Sequence, residues 1–210
     1  MKGKFIIIDG MDGSGKGTQI ELLKEKLANQ QVLFTREPGG SPKAEQIRPL
    51  ILQKDGPVSN AVCDLFLFFA ARGSHIQDVV VPARAAGKHV ICDRYDSSTF
   101  AFQLRGDQSE PWLEQLFDAI RGRLPSQDYW PGMYIVLDLP AEVAHRRRSR
   151  DVTQEKDRFD LKPPEYHERV RAGFKAFAKL YGPVHFVDAE RPPEQVHADV
   201  WKLVSQELGQ

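Results

Sequence analysis

The sequence predicts an α/β fold of three layers, a parallel sheet of five strands with helices on both faces, formed by residues 1–210 as one domain. Three observations predict it. Short apolar runs rich in β-branched residues alternate with longer stretches carrying apolar residues at helical spacing. The first run, Phe5-Ile6-Ile7-Ile8, ends in a glycine-rich turn and passes straight into a helical pattern. The length suits one core of useful size. Strands separated by helices require right-handed crossovers, and such sheets bind ligands beyond the carboxyl ends of their strands.

The elements follow in order. Strands are predicted at Lys4–Ile8, Gln31–Thr35, His89–Cys92, Met133–Leu137 and Val184–Val187. Helices are predicted at Gly15–Asn29, Pro42–Gln53, Asn60–Ala86, Ser97–Leu104, Pro111–Ile120, Ala141–Ser149, Pro164–Tyr181 and Pro193–Leu208. The polar motifs described below each follow a strand end or face one from a neighbouring helix.

Formal net charge is zero, from 29 basic and 29 acidic residues, which argues against a general nucleic-acid or membrane-surface binder. No stretch reaches membrane-spanning length and no long apolar signal core opens the chain, so a soluble cytoplasmic protein is expected. Cys63 and Cys92 lie among apolar neighbours and read as reduced core residues. His167, His185 and His197 show no metal-ligand spacing, and no residue is assigned to a metal.

The turn Gly10-Met11-Asp12-Gly13-Ser14-Gly15-Lys16 lies between a strand and a helix, the context of a phosphate-binding loop. Glycines let backbone N–H groups turn inward, the helix N-terminus adds partial positive charge, and Lys16 can reach the β- and γ-phosphates of a nucleoside triphosphate. Gly17 stands where Ser or Thr ordinarily holds magnesium, and Thr18 comes one residue later. With Gly17 and Thr18 the string GKGTQ resembles the loop of nucleoside monophosphate kinases, adenylate kinases in particular.

Later motifs sharpen the resemblance. Thr35-Arg36-Glu37-Pro38-Gly39-Gly40 follows the second strand, and Ala44-Glu45-Gln46-Ile47-Arg48 puts Arg48 on the next helix. Phe68 and Arg72 lie four apart and share a helix face. Asp93-Arg94-Tyr95 follows the third strand and leads into Ser97-Ser98-Thr99-Phe100-Ala101-Phe102-Gln103. Five arginines, Arg146, Arg147, Arg148, Arg150 and Arg158, fall within thirteen residues; beside a triphosphate loop they read as a lid at about 146–160 that closes over phosphates. TREPGG with AE-x-IR, F-x-A-x-R, and DRY with SST and Gln occur in the order found in bacterial thymidylate kinases, which the chain resembles over nearly its whole length.

That resemblance implies a P-loop NTPase-type fold and phosphoryl transfer from ATP to dTMP, giving dTDP and ADP, with Mg2+ as cofactor. It implies ATP on Gly10, Asp12, Gly13, Ser14, Gly15, Lys16, Gly17 and Thr18, with Arg147 near adenine and Arg158 assisting. It places dTMP against Asp12, Glu37, Arg48, Phe68, Arg72, Arg94, Ser98, Thr99, Phe102 and Gln103. Phe68 is expected to stack on thymine and Arg72 to donate to its O4, Asp12 to accept from the sugar 3′-hydroxyl, and Arg94 to hold the monophosphate. Phe102 stands where the family usually has tyrosine, and its ring can still crowd the sugar 2′ carbon. Lys16, Arg94 and Arg150 are the expected catalytic residues. Gly13 and Ser14 offer no positive charge within the loop, so the chain resembles the type that carries it in the lid. The family is homodimeric. Two other readings stay open, a kinase of broader deoxynucleoside monophosphate specificity and a non-catalytic ATP-binding regulatory module.

Overall fold

The computed structural model describes residues 2–54, 60–123, 129–150 and 156–210. Its sheet holds five parallel strands: β1 (Phe5–Gly10), β2 (Val32–Arg36), β3 (His89–Asp93), β4 (Met133–Asp138) and β5 (Val184–Asp188). Their spatial order is β2-β3-β1-β4-β5. β1 is central, and the order reverses beside it, so a crevice opens at the carboxyl ends of β1 and β3.

Alternation along β1 explains the layering. All six of its residues are buried. Ile6 and Ile8 join the core on one face, with Leu23 of α1 (Lys16–Lys26), Leu27 at its C-cap, and Val196, Val200 and Val204 of α9 (Pro193–Leu208). Phe5 and Ile7 point to the other, with Leu65 of α3 (Ala61–His75) and Phe117 of α6 (Pro111–Arg123). A strand buried on both faces must be apolar at consecutive positions, which is why FIII reads as a continuous run.

The remaining helices are α2 (Pro42–Leu52), α4 (Val81–Ala85), α5 (Asp96–Thr99), α7 (Ala141–Arg150) and α8 (Pro164–Tyr181). The long helix expected over Asn60–Ala86 is continuous but not uniform: a π-helical stretch, Ile76–Val80, separates α3 from α4. The helix expected at Ser97–Leu104 likewise changes after α5 into a π-helical stretch, Phe100–Gly106. Apolar periodicity cannot distinguish these from α-helix over so few residues, and π turns concentrate at functional sites. Residues 151–155 of the expected lid lie outside the described residues.

One expectation is corrected. Cys92 is buried, but Cys63 is exposed on the first turn of α3, where its backbone N–H donates to the capping Asn60 Oδ1. Its apolar sequence neighbours are spread around the helix, and only part of that circumference faces the core. No described helix is long and apolar enough to cross a membrane.

Candidate active site

A cleft of about 750 Å³ opens at the carboxyl ends of the strands and is lined by residues from five motifs. The glycine turn forms one wall. Gly10 has φ 136°, and a Cβ there would lie 2.6 Å from the Leu137 carbonyl oxygen of the neighbouring strand. Gly13 has φ 81°, and a Cβ there would lie 2.2 Å from the Ala144 carbonyl oxygen of α7. Both positions need glycine because the conformation is left-handed and the neighbouring backbone is in the way.

Lys16 is buried in this wall. Its Nζ donates to the carbonyl oxygens of Gly10 at 3.0 Å and Met11 at 2.8 Å. Burial and the nearby Arg94 charge lower its pKa, and the acids around it partly offset them. Ser14 Oγ is buried with no hydrogen-bond partner among the described residues. Gly17 and Thr18 line the cleft and are exposed.

Arg94 bridges the loop to the opposite wall. It adopts φ 68°, and its guanidinium donates to Gly10 O at 2.9 Å, Ser98 Oγ at 3.0 Å and Asp12 Oδ1 at 2.5 Å. It lies 5.0 Å over the Phe102 ring. Burial lowers its pKa, but Asp12, Asp9 and Asp93 outweigh that and raise it, so it stays charged. Beneath it Asp9 is fully buried and accepts from Ser97 Oγ at 2.6 Å, Ser98 Oγ at 2.7 Å and the Gly10 N–H at 2.8 Å. Burial raises the Asp9 pKa above the usual carboxylate value.

Asp12 faces Arg94. Burial by itself would raise its pKa, but Arg94 and then Lys16 bring it down to about 2. A folded pKa below the ordinary 3.8 means that the Asp12–Arg94 pair contributes stability above about pH 4 and loses it as the pH falls through about 2. Asp12→Asn is therefore expected to lower the urea midpoint at about pH 5, with a deficit that shrinks toward about pH 2. A deficit unchanged across that range would contradict the pairing. Asp9, with its raised pKa, acts in the opposite sense, and the Asp12 variant isolates one contribution from the other.

The acceptor-side motifs meet at the far wall. Glu37, Arg48, Phe68, Ser98, Phe102 and Gln103 all line the cleft. Arg48 donates to the Pro38 carbonyl oxygen of the TREPGG turn. Arg72 and Thr99 are buried behind this wall and do not line the cleft. Arg72 Nε donates to Glu37 Oε2 at 2.8 Å and Nη2 to Thr99 Oγ1 at 2.9 Å, while Nη1 is buried without a partner among the described residues.

The lid arginines diverge. Arg147 lines the cleft and donates to the carbonyl oxygens of Ala189 at 2.7 Å and Glu190 at 3.1 Å, in the loop after β5. Arg150 is exposed at the last position of α7 and does not line the cleft. Arg158, expected on the ATP side, does not line it either. Its Nη2 donates to Asp64 Oδ1 of α3 at 2.7 Å and its Nε to the Ile51 carbonyl oxygen of α2. Arg148, counted among the lid arginines but given no role of its own, lines the cleft and forms a two-point pair with Asp160 at 2.8 and 2.9 Å. Sequence reasoning passed over Phe159, which lines the cleft between the Phe68 and Phe102 rings, with centroids 6.4 and 6.3 Å away. The signal was the Asp157-Arg158-Phe159-Asp160 string, an aromatic residue among charges where a solvated loop needs none.

A central strand ending in a glycine turn and a buried lysine, in a parallel sheet of this order, defines a P-loop NTPase-type protein, and the second polar wall gives the loop's ligand a neighbour. A family model described as thymidylate kinase matches residues 8–200. Thymidylate kinase of Magnetococcus marinus is 38% identical over 209 residues, covering 97% of this chain and 96% of that protein. That of Symbiobacterium thermophilum is 40% identical over 208 residues, covering 97% and 94%. The crystal structure of thymidylate kinase from Ehrlichia chaffeensis superposes with TM-score 0.75 at 27% identity, covering 97% of this chain and all of that one. The chain belongs to the thymidylate kinase family.

Proposed function

We propose that this chain transfers the γ-phosphoryl group of ATP to dTMP, giving dTDP and ADP. The observation that carries the reading is Arg94, which joins the phosphate loop to the acceptor-side wall of a single cleft. Its charge lies where a donor phosphate on the loop and an acceptor phosphate on the far wall would meet. The acceptor oxygen of dTMP is ionised near neutral pH, so no strong general base is required. The chain's contribution is alignment and stabilisation of developing charge by Lys16, Arg94 and the two α7 arginines that line the cleft, Arg147 and Arg148.

The base is read at Phe68, Gln103 and Arg72. Arg72 lies behind the cleft wall, between the lining residues Phe68 and Glu37; its Nη1 is a buried donor with no acceptor among the described residues, and O4 of a thymine seated on Phe68 would supply one. Cytosine places an amino donor there and leaves both groups unpaired. Phe102 is the ring on which Arg94 lies, and it serves as a wall against a ribose 2′-hydroxyl without forming a hydrogen bond of its own.

Magnesium is expected to arrive with ATP. Among the described residues no group of three or more His, Cys, Asp or Glu could hold a metal ion. The oxygens that fit the ion are the Asp93 carboxylate, which lines the cleft with Oδ1 buried and unpartnered among the described residues, and the Thr18 hydroxyl. When bound, the ion supplies neutralisation of phosphate charge.

The reading is tested by ADP release in a coupled assay with ATP and magnesium against dTMP, dUMP, dCMP, UMP and AMP. The expected result is a preference for dTMP over dCMP of about tenfold or more, the cost of one unmade buried hydrogen bond. Similar rates for several acceptors would leave a kinase of broader specificity. ATP binding with no ADP release for any acceptor would leave a regulatory module.

We also read the protein as a homodimer. Phe66 of α3 is 54% exposed, while Phe69 of the same helix packs on Phe117 of α6, so an apolar strip runs outward from the core. Light scattering is expected to give about twice the 23.8 kDa chain mass and Phe66→Glu to shift it toward the monomer. A monomer for the unsubstituted chain at micromolar concentration would remove this reading.

A further inference from the structure

We propose that His75 is a positioning residue for base recognition, acting through Glu37 on Arg72. The inference rests on the base-site reading above.

His75 is the last residue of α3, and its ring is fully buried. Nδ1 lies 3.0 Å from Glu37 Oε1, and Nε2 lies 2.8 Å from Thr35 Oγ1 at the end of β2. The other Glu37 oxygen accepts from Arg72 Nε. His75 and Arg72 are three residues apart on one helix, so both reach the same carboxylate from one face. A carboxylate paired with arginine only accepts, so Nδ1 must carry the hydrogen. Nε2 is then free to accept from the Thr35 hydroxyl, and a neutral ring satisfies both contacts.

The terminal torsion of glutamate is soft. Held by Arg72 alone, the Glu37 carboxylate could turn and take the guanidinium with it. The His75 donor pins its second oxygen. Gly40 wedges the ring in place: it has φ 83°, and a Cβ there would come within 2.7 Å of the imidazole Cδ2 and 2.8 Å of Nε2. Arg72 is thus held at two of its nitrogens, Nε by the pinned carboxylate and Nη2 by Thr99, and Nη1 alone is left for a ligand. Arg72 lies one turn from Phe68 and is bonded to Glu37, both of which line the cleft.

The test compares amide replacements of His75 in the full-length enzyme. Asparagine presents an NH2 near the Nδ1 position and can still donate to Glu37. Glutamine reaches toward the Nε2 position and keeps only the Thr35 contact. His75→Ala and His75→Gln are expected to raise the dTMP KM about tenfold and cut the dTMP-to-dCMP preference by a similar factor, with kcat and the ATP KM within about twofold. His75→Asn is expected to recover both within about threefold. Arg72→Met with His75→Ala is expected to discriminate no worse than Arg72→Met alone, because the two act through one contact.

If Arg72→Met keeps the dTMP preference, the base-site reading falls and the proposal with it. If Arg72→Met loses it while the His75 variants keep both the dTMP KM and the preference, the proposal alone is overturned. Should His75→Ala fail to fold, equal behaviour of the asparagine and glutamine variants also overturns it. A loss of thermal stability with unchanged kinetic constants assigns His75 a structural role only.

Discussion

Lys16→Ala is expected to lower kcat by about 100- to 1000-fold with little change in melting temperature. The two halves of this expectation have different origins. Lys16 donates to two loop carbonyls, so its positive charge sits inside the turn that would receive phosphate. Those carbonyls are not orphaned when it is removed, because Gly10 O keeps its bond from Arg94 and Met11 O still accepts from the Ser14 N–H at 3.2 Å. The stability cost is that of two exchanged hydrogen bonds, partly offset by relief of the buried ammonium's desolvation, about 1 kcal/mol net. Burial already lowers the Lys16 pKa, so a phosphate approaching it meets a poorly hydrated ammonium, and the loss on truncation falls on charge stabilisation. Single-turnover ADP formation with a parallel thermal melt checks both halves. Activity within a few-fold of the unsubstituted enzyme would remove Lys16 from the chemistry.

Arg94→Ala is expected to lose at least as much turnover and, unlike Lys16→Ala, to destabilise the fold by about 3 kcal/mol. Arg94 is the cation nearest two acids, and Asp9 has no exposure at all. Removing the guanidinium leaves a buried carboxylate supported only by Ser97, Ser98 and a backbone N–H. The backbone adds a smaller penalty, since φ 68° is strained for any residue with a Cβ. Arg94→Gly should therefore be more stable than Arg94→Ala by roughly 1 kcal/mol while being equally inactive. Arg94→Lys keeps the charge but cannot reach Gly10 O, Ser98 and Asp12 together, so it should recover stability better than turnover. Urea melts and kcat for the three variants separate these contributions. An alanine variant as stable as the unsubstituted chain would mean that Asp9 does not depend on Arg94.

Much of this is legible in the sequence. The five strands fell close to where the apolar runs placed them: the inner strands β1, β3 and β4 are covered on both faces and demand consecutive apolar residues, while the edge strands β2 and β5 are more exposed and carry shorter apolar runs. The glycine turn was legible because its requirement is local: left-handed backbone at Gly10 and Gly13, then a helix N-terminus. Expectations that needed a partner from elsewhere in the chain fared differently. Cys63 looked like a core residue by its neighbours and is exposed, because a helix turns those neighbours to different sides. Arg158 looked like a phosphate ligand in an arginine-rich stretch, but it lies on Asp64, 94 positions away, and on a carbonyl of α2.

The chain's linear order determined the sheet, the loop at the end of β1 and the set of polar motifs that gather at the carboxyl ends of the strands. Each rests on contacts within a few residues or on a pattern of burial repeated along an element. The tertiary structure alone decided how the charges are shared. It put Arg94 between Asp9 and Asp12, sent Arg147 to the loop after β5, paired Arg148 with Asp160, and enclosed His75 between Thr35 and Glu37. A guanidinium or imidazole takes its role from whichever carboxylate lies within about 3 Å, and that distance is set by strands and helices far apart in sequence.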